Sequence, residues 1–208
     1  MTIQALLLDI GGVLMTNGWD HSLRKKTAEA FQIDYAEMDD RHRLIFDTYE
    51  TGKMTFDDYL NQAIFYVERS YTLQDVKQFI VGSASADEEM IALIKEIKAR
   101  HRLKVGVVSN EGRELAVDRI HRFNLPAFVD FFVVSSFVHF RKPDLDIYRL
   151  AIDVVQVPPI KIAYVDDRKM LVEVAKGLGI QGIHHTGLKS TESALHMLLN
   201  TFETAPNP

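Results

Sequence analysis

The chain reads as an α/β protein, a parallel sheet wrapped by helices, with a helical bundle inserted after the first strand. Three observations predict this. Short runs of β-forming apolar residues stop abruptly at polar ones. Amphipathic segments with apolar residues three and four apart lie between the later runs. The stretch 17–86 carries helical patterns with no strand among them.

The first strand is read over 3–8, nearly continuous in apolar residues and closed by Asp9 and then Gly11 and Gly12. Four helices follow over 22–32, 35–48, 55–68 and 73–81, with Gly52 closing the second and Thr55 with Asp58 opening the third. Asp87 caps a helix over 88–100 that returns the chain to the sheet. The pattern of the first strand then recurs at 103–108, 130–134 and 161–165, ending at Ser109–Asn110, Ser135–Ser136 and Asp166–Asp167. Helices are expected at 112–123, 144–155 and 168–178, and a last short strand at 181–183 is followed by His184 and His185 in a turn. The domains are therefore a core of 1–16 with 87–208 and an insertion of 17–86, and the tail at 204–208 is expected to fray.

Composition narrows the function. With 208 residues, 47% hydrophobic and 25% charged, the chain can bury a real core, so disorder is not its main state. A formal charge of −5, from 24 basic and 29 acidic residues, argues against a general nucleic-acid binder. Cysteine is absent, which removes disulfides, thiolate nucleophiles and sulfur-ligated metals; any metal must rest on oxygen or imidazole. Asp9 interrupts the first apolar run, so neither a signal peptide nor a membrane span is expected, and cytoplasmic residence is the default.

In a parallel sheet with crossover helices the ligand crevice lies outside the carboxyl ends of the strands, and the polar residues named above all fall there. Asp9 with the two glycines suits either a turn cap or a place where backbone amides approach an anion. Ser109 and Asn110 suit either an N-cap or an anion contact at a helix start. Lys142, before Pro143 and Asp144, is a compact cation beside a helix start or a solvated side chain. Asp166 and Asp167 are adjacent acids after an apolar strand. That placement is costly unless donors or a cation offset their repulsion, and an all-oxygen set matches Mg²⁺ ahead of Mn²⁺ or Ca²⁺. The plain alternative is that one acid caps the next helix while the other faces water.

The strings LLLDIGGVL, VGVVSN, FRKPD and IAYVDD, in that order, resemble the four signature motifs of the haloacid dehalogenase-like hydrolase superfamily. The resemblance spans the chain and implies a Rossmann-like core under an α-helical cap. It implies a phosphatase in which Asp9 is the nucleophile, with Ser109 and Lys142 also catalytic. Phosphate contacts would come from Ile10, Gly11, Ser109, Asn110 and Lys142. Mg²⁺ would be held by Asp9, the Gly11 carbonyl, Asp167 and, in the outer position, Asp166. The expected partner is a small phosphorylated metabolite, and the expected state is a monomer or homodimer.

Two positions depart from the pattern. Phosphatase members usually carry a second Asp two residues after the nucleophile, which protonates the leaving oxygen and then activates water; here that position is Gly11. A positioned acid/base supplies about 10²- to 10⁴-fold in rate, so a replacement is needed for poor leaving groups. Asp20, His21 and Asp47 are the titratable residues of the insertion considered for it. Leu171 stands where related sequences often place Asn or Asp near the metal. The alternative enzyme is a metal-free 2-haloacid dehalogenase, and the alternative class is a phosphometabolite-binding protein without turnover. The insertion's aromatics, Trp19, Phe46, Tyr49, Phe56, Tyr59, Phe65 and Tyr66, are read as packing, with a few at the substrate entrance.

Overall fold

The computed structural model describes residues 2–200, so the tail expected to fray lies outside the described residues. Five strands form one wholly parallel sheet: β1 (Ala5–Leu8), β2 (Lys104–Ser109), β3 (Phe131–Val134), β4 (Ile162–Asp166) and β5 (Gln181–His184), in the order β3-β2-β1-β4-β5. β1 pairs with β2 on one side and β4 on the other, Leu8 opposite both Val107 and Val165. The chain steps outward from β1 to β3 and then returns to the far side of β1. This places a topological switch point between β1 and β4, where the ends of adjacent crossovers diverge and leave a crevice.

The three central strands are apolar on both faces, as burial between two helical layers requires. Leu6 and Leu8 of β1 face one cluster with α5 (Glu88–His101), α6 (Arg113–Arg122) and α10 (Leu188–Asn200). Ala5 and Leu7 face the other, against α8 (Leu145–Val155) and α9 (Lys169–Gly177). Between β1 and α5 the chain forms α1 (His21–Ala30), α2 (Tyr35–Glu50), α3 (Phe56–Ala63) and α4 (Leu73–Gly82) with no strand among them. These four helices share a third apolar cluster, which Leu115 of α6 joins.

Element ends depart from expectation for local reasons. The third helix of the insertion stops at Ala63 rather than 68, because the Ile64 and Phe65 amides both converge on the Leu60 carbonyl and Arg69 Nε takes the Ile64 carbonyl. Thr55 opens that helix as expected, its hydroxyl accepting the Asp58 amide at 3.1 Å, and Asp87 accepts the Met90 amide at 2.9 Å. Pro143 stands outside its helix: Asp144 is the N-cap and Leu145 the first helical residue. His184 closes β5 instead of lying in a turn, opposite Asp166. A one-turn helix, α7 (Ser135–Val138), and α10 had no expectation attached. Among the described residues no helix is long and apolar enough to cross a membrane.

Candidate active site

β1, β2 and β4 carry Asp9, Ser109 and Asp166 to the same edge of the sheet, and Asp167 follows directly. Asp9, Asp166 and Asp167 each bring a carboxylate oxygen within 4.8 Å of the other two. Lys142 arrives from the loop before α8 and is buried, only 2% exposed. Its ammonium lies 3.1 Å from Asp9 Oδ2 and 2.7 Å from Asp166 Oδ2, and it donates to the Tyr164 hydroxyl at 3.2 Å.

The two adjacent acids sit in different environments. Asp166 is fully buried and its oxygens are occupied: Oδ2 accepts from Lys142 and from the Tyr164 hydroxyl, and Oδ1 accepts the Arg168 amide at 2.8 Å. Burial works against its charge, but Lys142 and these donors outweigh it and hold its pKa below the ordinary value. Asp167 is less buried, yet its Oδ1 is a buried oxygen without a partner, while Oδ2 meets Asn17 Nδ2 at 3.5 Å. Gly12 makes room for it: with φ +72° and a hypothetical β-carbon only 2.4 Å from Asp167 Oδ2, no other residue fits that turn.

Asp9 is held by its own turn, the Ile10 amide donating to Oδ1 at 2.8 Å. Burial raises its pKa, Lys142 opposes this, and the nearby acids reinforce it; the Ser109 hydroxyl bonds to the carboxylate and favours its charge. Burial likewise works against the Lys142 charge, but Asp9 and Asp166 prevail and its pKa is raised. Asn110 positions Lys142: its amide side chain donates to the Lys142 carbonyl and accepts the Lys142 amide, both at 2.8 Å. It does not cap the following helix, whose N-cap is Gly112.

Above this cluster lies a cavity of about 300 Å³, bounded by Asp9, Gly11, Ser109, Asn110 and Lys142 below and by α1 and α2 above. Trp19, Phe46 and Tyr49 line it, so three of the insertion's aromatics face the site, whereas Phe56 and Tyr59 pack in the helical cluster. Of the acids considered for proton transfer, Asp20 lines the cavity but caps α1 by accepting the Leu23 amide at 2.8 Å, and the His21 ring meets the Tyr35 hydroxyl at 2.7 Å. Asp47 is 78% exposed in its side chain and pairs with Arg141. Leu171 also lines the cavity.

Sequence reasoning missed two acid–arginine pairs in this cavity, one half-buried and one buried. Glu50, at the end of α2, pairs with Arg141 at 2.9 Å, and Glu111 pairs with Arg119 at 3.2 Å. Burial pushes both carboxyls up to about 7. Arg141, Arg168 and Lys142 oppose this at Glu50; at Glu111 Arg119 opposes it, while Asp9 and Glu50 reinforce it. A signal for the second pair exists in the chain: Glu111, Leu115 and Arg119 recur every four residues, and all three face the cavity.

Comparison with known proteins agrees with this geometry. A family model described as haloacid dehalogenase-like hydrolase matches residues 3–179. A "Phosphorylated carbohydrates phosphatase" of Thermotoga maritima is 26% identical over 187 residues, covering 88% of this chain and 84% of that protein. Among solved structures, an enzyme of this family from Bacteroides thetaiotaomicron, in complex with magnesium and inorganic phosphate, superposes with a TM-score of 0.73 at 18% identity, covering 88% of this chain and 93% of that one. A predicted hydrolase of the same family from Porphyromonas gingivalis gives 0.76 at 18% identity, covering 94% and 98%. With the family model spanning all four motifs and the sheet order placing them at one crevice, the chain belongs to the haloacid dehalogenase-like hydrolases.

Proposed function

We propose that the protein is a Mg²⁺-dependent phosphatase of a small phosphorylated metabolite, with Asp9 attacking phosphorus and carrying the phosphoryl group as an aspartyl phosphate. The observation that carries this reading is the convergence of Asp9, Asp166 and Asp167 on one another, with a buried lysine between the first two and Asp167 Oδ1 left without a partner. A buried, unpartnered carboxylate oxygen is unfavourable unless a cation completes it, and the all-oxygen donor set suits a hard divalent ion. Asp9, Asp167 and the Gly11 carbonyl would hold it, with Asp166 acting from behind through Lys142. When bound, the ion offsets the charge of the phosphate and helps orient it.

The remaining roles belong to the chain's own groups. Lys142 neutralises Asp9 as it approaches a dianion, Asn110 fixes Lys142 through its backbone, and Ser109 with the Asn110 amide receives equatorial phosphate oxygens. The turn at Ile10 and Gly11 supplies the remaining amides near the phosphate. Residues 17–86 act as a cap over the core of 1–16 and 87–208, shielding the cavity from water during transfer. Carboxylates alternating with guanidiniums beside Trp19 and Phe46 suit a leaving group rich in hydroxyls. The substrate class in the name of the Thermotoga relative, phosphorylated carbohydrates, has that chemistry.

The test is phosphate release from a panel of sugar, alkyl, aryl and acyl phosphates, with and without Mg²⁺, against Asp9→Asn as the blank. The expected result is Mg²⁺-dependent turnover of at least one phosphorylated carbohydrate that the blank lacks. Wild type and blank behaving alike on every compound overturns the reading. Mg²⁺-dependent phosphate binding without turnover would then identify a binding protein, and chelator-insensitive halide release from 2-haloacids a dehalogenase.

A further inference from the structure

The acid that position 11 lacks has to come from elsewhere if an alkoxide is to leave. Of the other candidates, Asp20 accepts the Leu23 amide, Asp47 stands outside the cavity lining and pairs with Arg141 in solvent, and Glu50 pairs with Arg141 at 2.9 Å. Glu111 is the more deeply buried of the two cavity glutamates. It is 5% exposed, lines the same cavity as Asp9, and neither of its carboxylate oxygens accepts a hydrogen bond; Arg119 Nε approaches Oε1 to 3.2 Å without the alignment of one.

Its placement relates directly to the missing side chain. A β-carbon at Gly11 would stand 3.7 Å from the Gly18 amide nitrogen, and a β-carbon at Gly18 would stand 2.7 Å from Glu111 Oε1. A single glycine backbone therefore separates the Glu111 carboxyl from the space that an acid at position 11 would enter. Asn17 Oδ1 lies 3.0 Å from that same Gly11 position, so the vacancy is partly filled by an amide that cannot act as an acid. Glu111 is also held firmly: its backbone amide donates to Ser135 Oγ at 2.9 Å, and that hydroxyl donates to the Glu50 carbonyl at 2.7 Å.

We propose that Glu111 is the proton-carrying residue of this site, doing the work of the side chain that Gly11 does not have; the inference rests on the phosphatase reading above. In the first half-reaction Asp9 forms a bond to phosphorus, the bond from phosphorus to the leaving oxygen breaks, and that oxygen takes the Glu111 proton. In the second, water loses a proton to the Glu111 carboxylate and bonds to phosphorus. The bond from phosphorus to Asp9 then breaks, releasing inorganic phosphate and restoring both residues. The charged groups facing Glu111 are Arg119 and Asp118 of α6, Asp9 at the end of β1 and Glu50 of α2. A carboxyl raised to about 7 by burial holds its proton in an appreciable fraction of molecules near neutrality, in keeping with the first step.

The experiment compares wild type, Glu111→Gln, Glu111→Asp and Asp9→Asn in Mg²⁺ on an alkyl and an aryl phosphate, with rapid-quench measurement of phosphorylated enzyme. For Glu111→Gln, kcat on the alkyl ester should fall about 10²- to 10⁴-fold with KM changed only a few-fold. On the aryl ester, whose leaving group needs no proton, the variant should show a burst of phenolate and accumulate phosphoenzyme, because dephosphorylation lacks its base. The fall of wild-type kcat/KM on the alkyl ester as pH rises through about 7 should vanish in the variant. Glu111→Asp, which keeps the charge opposite Arg119 but draws the carboxyl back, should show the same selective loss even where the Gln variant folds poorly. Equal losses on both esters without a burst, or an unchanged rate, overturn the assignment. A wild type no better than Asp9→Asn overturns the phosphatase reading itself and the assignment with it.

Discussion

At the scale of single residues, removal of Lys142 would leave two buried acids facing each other. Its ammonium lies between Asp9 and Asp166, and among the described residues neither acid has another cation in such close contact. Lys142→Met should therefore abolish turnover and also destabilise the fold by about 3 to 5 kcal/mol, the usual effect of breaking a buried ion pair from one side. For a chain of this size that corresponds to a melting midpoint lower by roughly 6 to 20 °C. The deficit should depend on pH with a definite sign. Without the lysine the pKa of both carboxyls rises relative to wild type, so the folded variant binds more protons than the folded wild type and its deficit grows as pH rises. Thermal scans at pH 5 and pH 8 check this: the gap from wild type should be wider at pH 8.

At the scale of elements, the insertion carries its own polar core as well as aromatic packing. Trp19 Nε1 donates to the Tyr59 hydroxyl at 2.5 Å, and that hydroxyl faces His42 Nδ1 at 2.8 Å, so a neutral His42 can accept from Tyr59. Burial, assisted by Arg24, lowers the His42 pKa to about 4, against 6.5 when unfolded. The native chain thus refuses a proton that the unfolded chain accepts, and this contribution to stability is lost as pH falls from about 6.5 toward 4. Glu50 and Glu111 act in the opposite sense, since carboxyls raised to about 7 favour the folded state as pH falls from 7 toward 4.5. His42→Phe should separate the two: its urea midpoint should fall less between pH 6.5 and 4.5 than that of wild type, and an identical pH dependence would show His42 already charged in the fold. The same element scale explains what could be read beforehand. Four of the strands were legible because a short apolar run closed by a polar residue has few other readings; Asp9, Ser109, Asp166 and Asp167 stood at or directly after those closures, and Lys142 just before a helix start. Glu50, Glu111, Arg119 and Arg141 were not, because a charged residue on or beside a helix looks solvated until a second element is packed over it. The early end of α3 was hidden for a similar reason: Arg69, outside the helix, takes the carbonyl that would have continued it.

At the scale of the whole molecule, the contact between the insertion and the sheet edge is polar where it crosses the site. The end of α2 and the turn after it meet the segment 135–141 through Ser135 to the Glu50 carbonyl, the His139 ring to the Thr51 carbonyl, and Arg141 to both Asp47 and Glu50. Arg122 and Glu114 of α6 add bonds to the Val81 carbonyl and the Phe56 amide. A seam built from hydrogen bonds and ion pairs can open without exposing a large apolar surface, in keeping with the cap role proposed for 17–86. Asp47 offers the least invasive probe of that seam, since it does not line the cavity and its exposed pair with Arg141 contributes at most about 1 kcal/mol. Asp47→Asn should leave the melting midpoint within about 4 °C of wild type, while backbone amides at 48–53 exchange with deuterium faster, by a factor of about 2 to 5, the most that 1 kcal/mol of weakened closure allows. Exchange at 73–82, in α4, whose bond across the seam is to Arg122 and not to Arg141, should be unchanged, because local opening around Asp47 does not require α4 to unfold. A uniform acceleration across the insertion would mean instead that Asp47 supports the bundle as a whole, and unchanged exchange at 48–53 would place the closure on Ser135 and Glu50 alone.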